Sequence, residues 1–457
     1  MKSLLLKIPT PLKSINRMQM RNLFFILLAP LLMIAPARAQ ETLLPEEAVA
    51  LTLKNNFDIL IQKADSGFYA LDYKFRNAYF LPQVNANATL LFNNNNTKQK
   101  LADGTIKKGS GFRSNNLNTS VNLNWVIFDG LKMFTSRAKL AEYVKLGELN
   151  IKSQVINSVA DVIRTYYNIV SQKQQLLAIE EQMGINEERV RQAEKKLSVG
   201  LGAKPELLQA KLDLNAQKSA RLTQLNAIEQ LKEQLNLLIG FKPGSNYTVI
   251  DTIIYNHQLV AADIFSGAET GNADLLVARQ NIRIAAFTLK EKKADRFPKV
   301  SLQSAYNFNR LNNNTVVNNF SPLYNRNFGF NYGVNISIPI LNYLSVQKNI
   351  RSAQLDLNYQ NLVYQYKQSQ VATSVSSAYK AYEMQLRSLD LEEQNIVLAR
   401  ENVHIALERN RLGLSTILEL RETQKSLADA YARLINARYN TKLAETELLQ
   451  LRGSLVQ

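Results

Sequence analysis

The sequence predicts an α+β membrane protein in which one long unit is repeated in tandem. Each unit is a pair of amphipathic strands followed by a hairpin of long helices. Three observations predict it. Short segments recur at one fixed offset. Four segments alternate apolar and polar residues. Long stretches without proline keep a seven-residue apolar period.

The offset is the most specific of the three. VNLNWVIFDG (Val121–Gly130) echoes VNISIPILNY (Val334–Tyr343), and TYYNIV (Thr165–Val170) echoes AYKAYE (Ala378–Glu383). LSVGLGAKPEL (Leu197–Leu207) echoes LGLSTILEL around Gly413 and Glu419, and all three pairs lie 213 residues apart. FLPQV (Phe80–Val84) echoes RFPKV (Arg296–Val300), with Pro82 and Pro298 216 apart. The three-residue difference falls in an Asn-rich loop. Chance matches would not keep register over so long a span, so the unit is duplicated.

The N-terminus comes first in chain order. Lys2, Lys7, Lys13, Arg17 and Arg21 precede the apolar run NLFFILLAPLLMIA, and ARA (Ala37–Ala39) supplies a small-x-small cleavage site. This reads as a signal peptide over residues 1–39. The alternative, a membrane anchor, needs roughly 20 apolar residues, and this run is shorter. Removing six basic residues and no acids lowers the net charge from +17 to +11. The remaining charge is dispersed and does not point to nucleic acid. Cysteine is absent and only His257 and His404 could supply imidazole, so no cofactor, metal site or enzyme activity is expected.

Repeat unit one spans 40–240. It opens with a helix from Pro45, a residue suited to a first turn. Strands follow at 84–92 and 117–128, then a helix hairpin over 132–239. An inter-repeat equatorial segment covers 241–272. Repeat unit two spans 273–457, with a helix, strands at 300–308 and 327–341, and a hairpin over 343–451. In the first long helix Val155, Val162, Ile169, Leu176, Met183, Val190 and Leu197 recur every seven residues. Val375, Tyr382, Leu389, Ile396 and Val403 do the same in the second. Such a period packs helices as a coiled coil.

The strands carry the functional information. In NFGFNYGVNISIPIL, Phe328, Phe330, Tyr332, Val334, Ile336 and Ile338 alternate with Asn327, Gly329, Asn331, Gly333, Asn335 and Ser337. A greasy face backed by small uncharged polar residues suits lipid outside and water inside. A soluble sandwich also alternates, but its wet face ordinarily carries Lys, Glu and Thr. Two units supply four strands, too few to close a barrel, and open edges cannot face lipid. Copies must therefore combine.

With these features the sequence resembles the TolC family of outer-membrane efflux proteins over about residues 41–453. The resemblance rests on the duplicated unit, the LP-x-V and FP-x-V approaches to the first strand of each pair, FDG after the second strand, TYYNIV and the two glycine tips. It implies a homotrimer with a 12-stranded β-barrel in outer-membrane lipid, continuous with an α-helical coiled-coil barrel in the periplasm. It implies an exit duct for small molecules, served by a periplasmic adaptor and an inner-membrane pump of RND, ABC or MFS type. Type I protein secretion is the alternative cargo route, and a coiled-coil envelope protein without a pore is a further one.

The resemblance also assigns sites. The hairpin tips around Gly200, Gly202 and Glu206, and around Gly413 and Ser415, would dock the adaptor. Glu419 and Glu422 match acidic positions that ring the closed periplasmic entrance. Asn410 and Ser415 stand where the family's best-known member has a latching tyrosine and arginine, which leaves Arg409 and Arg411 as latch candidates. The tandem carboxylates Glu180–Glu181, Glu187–Glu188 and Glu392–Glu393 read as salt-laced flanks of the coiled coil rather than acid/base pairs.

Overall fold

The structure, a computed structural model, describes residues 42–315, 322–342 and 344–455. The signal segment 1–39 lies outside the described residues, as does Tyr343, the expected first residue of the second hairpin.

The duplication is visible element by element. Helices α1 (Pro45–Asn55) and α2 (Phe57–Lys74) precede strands β2 (Gln83–Lys100) and β3 (Ile106–Phe128). Helices α3 (Lys132–Ser198) and α4 (Lys204–Ile239) form the first hairpin. Unit two repeats the order with α5 (Ala261–Gly271), α6 (Ala273–Ala294), β5 (Lys299–Asn313), β6 (Tyr324–Ser337), α7 (Ser345–Arg411) and α8 (Ile417–Arg452). The long helices α3 and α7 are both 67 residues, and the returning helices α4 and α8 are both 36. At 1.5 Å per residue, α3 and α7 are rods of roughly 100 Å. Two short strands, β1 (Thr42–Leu43) and β4 (Thr248–Val249), pair in parallel beside the rod.

The helix opening each unit is broken in two, where the sequence pattern predicts one continuous helix. Asn56 ends α1 and caps α2, its side chain accepting from the Ile59 amide. Asn272 ends α5 and caps α6 in the same way, accepting from Asp274 and Leu275. Each asparagine also donates across to the end of its unit's returning helix, Asn56 to the Leu238 carbonyl and Asn272 to the Leu451 carbonyl, both at 2.9 Å. Helix α5 therefore occupies the last third of the segment 241–272, expected to be an inter-repeat equatorial segment. Gly267 and Gly271 suggest a turn there, but Arg452 fills the space where a Cβ would stand, 2.6 Å away in both cases. The glycines permit close helix packing.

The sheet order is β2-β3-β5-β6, antiparallel throughout. Three strands are longer than expected, because alternation fades in Asn- and Lys-rich stretches that stay paired, such as Lys98 with Lys108. The strand expected at 327–341 instead begins at Tyr324 and stops at Ser337. Alternation continues past that point, but Pro339 has no amide to offer a ladder. Each sheet-to-rod elbow places a leucine in the left-handed region, Leu131 at φ 68° and Leu344 at φ 62°. The pair is again 213 residues apart, so the bend is a repeated feature of the unit.

The core is a girdle and a seam. Tyr166, Val170, Leu235 and Ile239 pack with Tyr247 and Val249 in unit one. Val375, Tyr382, Ala444 and Leu448 do so in unit two. Burial pushes the Tyr166 phenol up to about 12 while it donates to the Leu43 carbonyl at 2.7 Å. All five heptad residues named for α7 are buried. In α3 only Val162 and Ile169 of the seven expected seam residues are buried, while Val155, Leu176, Met183, Val190 and Leu197 are half-buried, and beyond Leu176 none is buried. The buried stripe there is Ala178, Gln182, Asn186, Arg189 and Ala193. It is largely polar, so an apolar period cannot reveal it.

Candidate functional site

Two surfaces carry chemistry, the sheet and the hairpin tips. The register fixes the two faces of the sheet. Across β2, β3, β5 and β6, one row joins Ala86, Val121, Tyr306 and Phe330, and another joins Ala88, Thr119, Phe308 and Phe328. The intervening rows join Asn85, Asn122, Ala305 and Asn331, then Asn87, Ser120, Asn307 and Gly329. From Gln83 to Asn93, Asn116 to Val126, Ser301 to Leu311 and Asn325 to Ser337, the polar face carries no ionisable side chain. Phe328, Phe330, Tyr332, Val334 and Ile336 are 60–79% exposed in the single chain. Such an apolar face needs a non-aqueous surrounding. Trp125 lies at the rod end of the sheet, its indole donating to the Phe80 carbonyl at 2.8 Å while 40% exposed.

Among the described residues no helix is long and apolar enough to cross a membrane. The edge strands β2 and β6 are 18 and 14 residues long and, among the described residues, have no outer neighbour.

At the far end of the rod, the two hairpins turn identically. Gly200 and Gly413 both take φ +75°, a conformation suited to glycine at a helix C-terminus. Leu201 N–H bonds the Lys196 carbonyl at 2.9 Å and Leu414 N–H the Arg409 carbonyl at 2.8 Å. At Gly202 a Cβ would lie 2.8 Å from the Leu197 amide nitrogen, whereas the second tip carries Ser415 at the equivalent position. Glu206 stands in the first turn of α4, where its charge suits the helix dipole. Leu201 and Leu414 project outward, 83% and 66% exposed.

The second tip uses its polar residues internally. Asn410 donates to the Ser415 carbonyl at 3.2 Å, and Ser415 to the Ala406 carbonyl at 3.4 Å. Thr416 caps α8 by accepting from the Glu419 amide at 3.2 Å. Arg409 and Glu419, read in separate roles, form an ion pair at 3.3 Å. Glu422 is exposed. Arg411 is exposed, and its field adds to a larger effect, the Arg191 hydrogen bond, that holds Glu188 below the usual carboxylate range.

Two polar links join the hairpins to each other, and neither was legible as a site. Arg189 of α3, 5% exposed at its side chain, donates to Asp213 of α4 at 3.1 Å and to Gln424 of α8 at 3.3 Å. Arg421 of α8 also reaches Asp213, at 3.5 Å. Higher up, Arg400 of α7 donates to the Tyr431 hydroxyl of α8 at 2.6 Å, and that hydroxyl donates to Glu181 of α3. Burial first, and the Glu181 carboxylate next, raise the Tyr431 phenol above its ordinary value. The spacing of Gln182, Asn186 and Arg189 on one helical face was the available signal. The remaining tandem carboxylates behave as flanks, with Glu180 on Arg221, Glu392 on Arg433 and Glu393 on Arg438.

The family model described as outer membrane efflux protein matches residues 48–241 and 265–454. The chain belongs to that family. Its two matched blocks coincide with the two structural repeats. The outer membrane efflux protein BepC of Brucella suis biovar 1 is 20% identical over 340 residues, covering 73% of this chain and 72% of that protein. The outer membrane protein TolC of Vibrio cholerae is 22% identical over 300 residues, covering 64% and 67%. The crystal structure of VceC, an outer membrane protein of Vibrio cholerae, superposes with a TM-score of 0.71 at 15% identity, covering 90% of this chain and 96% of that one. As an outer membrane efflux protein, the chain is an exit duct. Its sheet lies in the outer membrane and its helical rod in the periplasm.

Proposed function

We propose that three copies close their sheets edge to edge, β6 of one against β2 of the next, into a single barrel of twelve strands. The carrying observation is the pair of long open edges beside an apolar face. A lipid-embedded sheet must satisfy its edge amides and carbonyls, and closure does so. The asparagine rows then line a neutral, water-filled lumen continuous with a helical barrel. Export is passive, driven by an inner-membrane pump of RND, ABC or MFS type through a periplasmic adaptor. The cargo is small molecules. The exposed Leu201 and Leu414, presented identically at both tips, support adaptor docking there.

With a neutral barrel, ion selectivity resides at the periplasmic entrance. Arg409 offsets Glu419, so Glu422 carries most of the net negative field of the ring. Conductance across planar bilayers tests this. The native channel is expected to prefer cations, Glu422→Gln to lose most of that preference, and Glu419→Gln to change it less. Equal selectivity in all three would remove the ring.

A further inference from the structure

The far end of the sheet carries a charge imbalance that the protein cannot correct itself. Residues 83–128 and 299–337 contain Lys98, Lys100, Lys107, Lys108, Arg113, Lys299, Arg310 and Arg326 against one acid, Asp103. All but Lys299 lie toward the hairpin ends, away from the rod. Arg310 and Arg326 are direct cross-strand partners, and both are exposed. They share the outward face with Phe308 and Phe328, since the Arg326 guanidinium lies 5.4 Å from both ring centres. Like charges directly opposite each other destabilise a strand pair. The ion pairs among the described residues lie in the helices and their connections, for example Lys132 with Asp295 and Lys173 with Asp251. Asp103 accepts from the Thr105 amide within its own turn. Further copies of the chain bring only the same strands, so assembly adds no neutralising acid.

The height of the pair identifies its surroundings. Ile336 and Arg326 are ten residues apart on β6, roughly 33 Å along a strand. A tilt of about 40° reduces this to roughly 25 Å, the height of an outer-membrane apolar band. Arg310 and Arg326 therefore stand at the headgroup level of the leaflet remote from the periplasmic rod, the outer leaflet. Guanidinium is well matched to phosphate, which it binds bidentately.

We propose that Arg310 and Arg326, with Arg113 and the hairpin lysines above them, bind the phosphate groups of an anionic glycolipid in the outer leaflet. Its acyl chains would lie along Phe308, Phe328 and Phe330. The proposal rests on the membrane placement of the sheet and not on pump or adaptor.

Vesicles of phosphatidylcholine carrying a bisphosphorylated acylated disaccharide provide the test, with the dephosphorylated form in parallel vesicles. Lipid retained on the extracted protein is counted by intact-complex mass spectrometry. Two arginines near an anionic surface predict about thirty-fold greater retention of the phosphorylated form. Arg310→Gln with Arg326→Gln should abolish most of that difference while leaving conductance intact, which separates this site from the duct itself. Lys98→Gln with Lys108→Gln should reduce it less. Equal retention of both lipids, no change in the arginine double variant, or full displacement by inorganic phosphate would overturn the assignment to a lipid.

Discussion

Val121→Arg is expected to destabilise the assembled protein by about 2–4 kcal/mol per subunit, the cost of a charge at mid-depth on a lipid-facing strand. Val121 sits on β3 between Ala86 and Tyr306, all on the apolar face. Its immediate neighbour Asn122 pairs with Asn85 and Ala305 on the opposite face. Asn122→Arg should leave stability within about 0.5 kcal/mol, as substitutions on a wet surface do. It should instead shift the channel toward anions, because each copy adds a positive charge to a neutral lumen. Denaturant unfolding in vesicles and bilayer reversal potentials read the two effects separately. The opposite pattern, with Asn122→Arg unfolding the protein and Val121→Arg tolerated, would exchange the two faces.

Asp213→Ala is the second large effect. It strips the carboxylate from a buried guanidinium, leaving Arg189 with the Asn186 and Gln424 side-chain oxygens alone. Breaking a buried pair by removing one partner costs about 3–5 kcal/mol. The loss falls at the seam between the first hairpin and α8, so the tip should loosen. Faster hydrogen exchange from 182 to 193 and a larger resting conductance are the expected readouts. Replacing both partners, Asp213→Leu with Arg189→Met, should restore most of the stability, because an apolar pair of similar size often matches a buried ion pair. Additive losses in the double variant would show that the two residues act independently.

The strands and the duplication were legible because both leave strong periodic signatures. Phe328 to Ile336 alternates without exception, and Val375 to Val403 keeps its heptad into the structure. Three features were hidden for distinct physical reasons. The breaks at Asn56 and Asn272 use a residue that caps as readily as it turns, so GAETG reads as part of an inter-repeat segment when it is the end of a helix that meets the next. The Arg189 seam is a buried stripe made of polar residues, invisible to any search for apolar spacing. The Arg409–Glu419 pair crosses a turn, and alignment to a family motif gave those residues separate roles because it carries no distances. The T-x-x-E spacing at Thr416 and Glu419 was readable as a helix start, and it ties Glu419 to the cap of α8.

Electron-microscope imaging of the protein extracted from outer membranes in mild detergent tests the central claim most directly. A closed barrel of three copies predicts a three-fold hollow rod of roughly 130–140 Å, the length of the helices plus a bilayer. Compact monomers, or a solid rod without a lumen, would contradict the assignment of the asparagine face to water and the duct that follows from it.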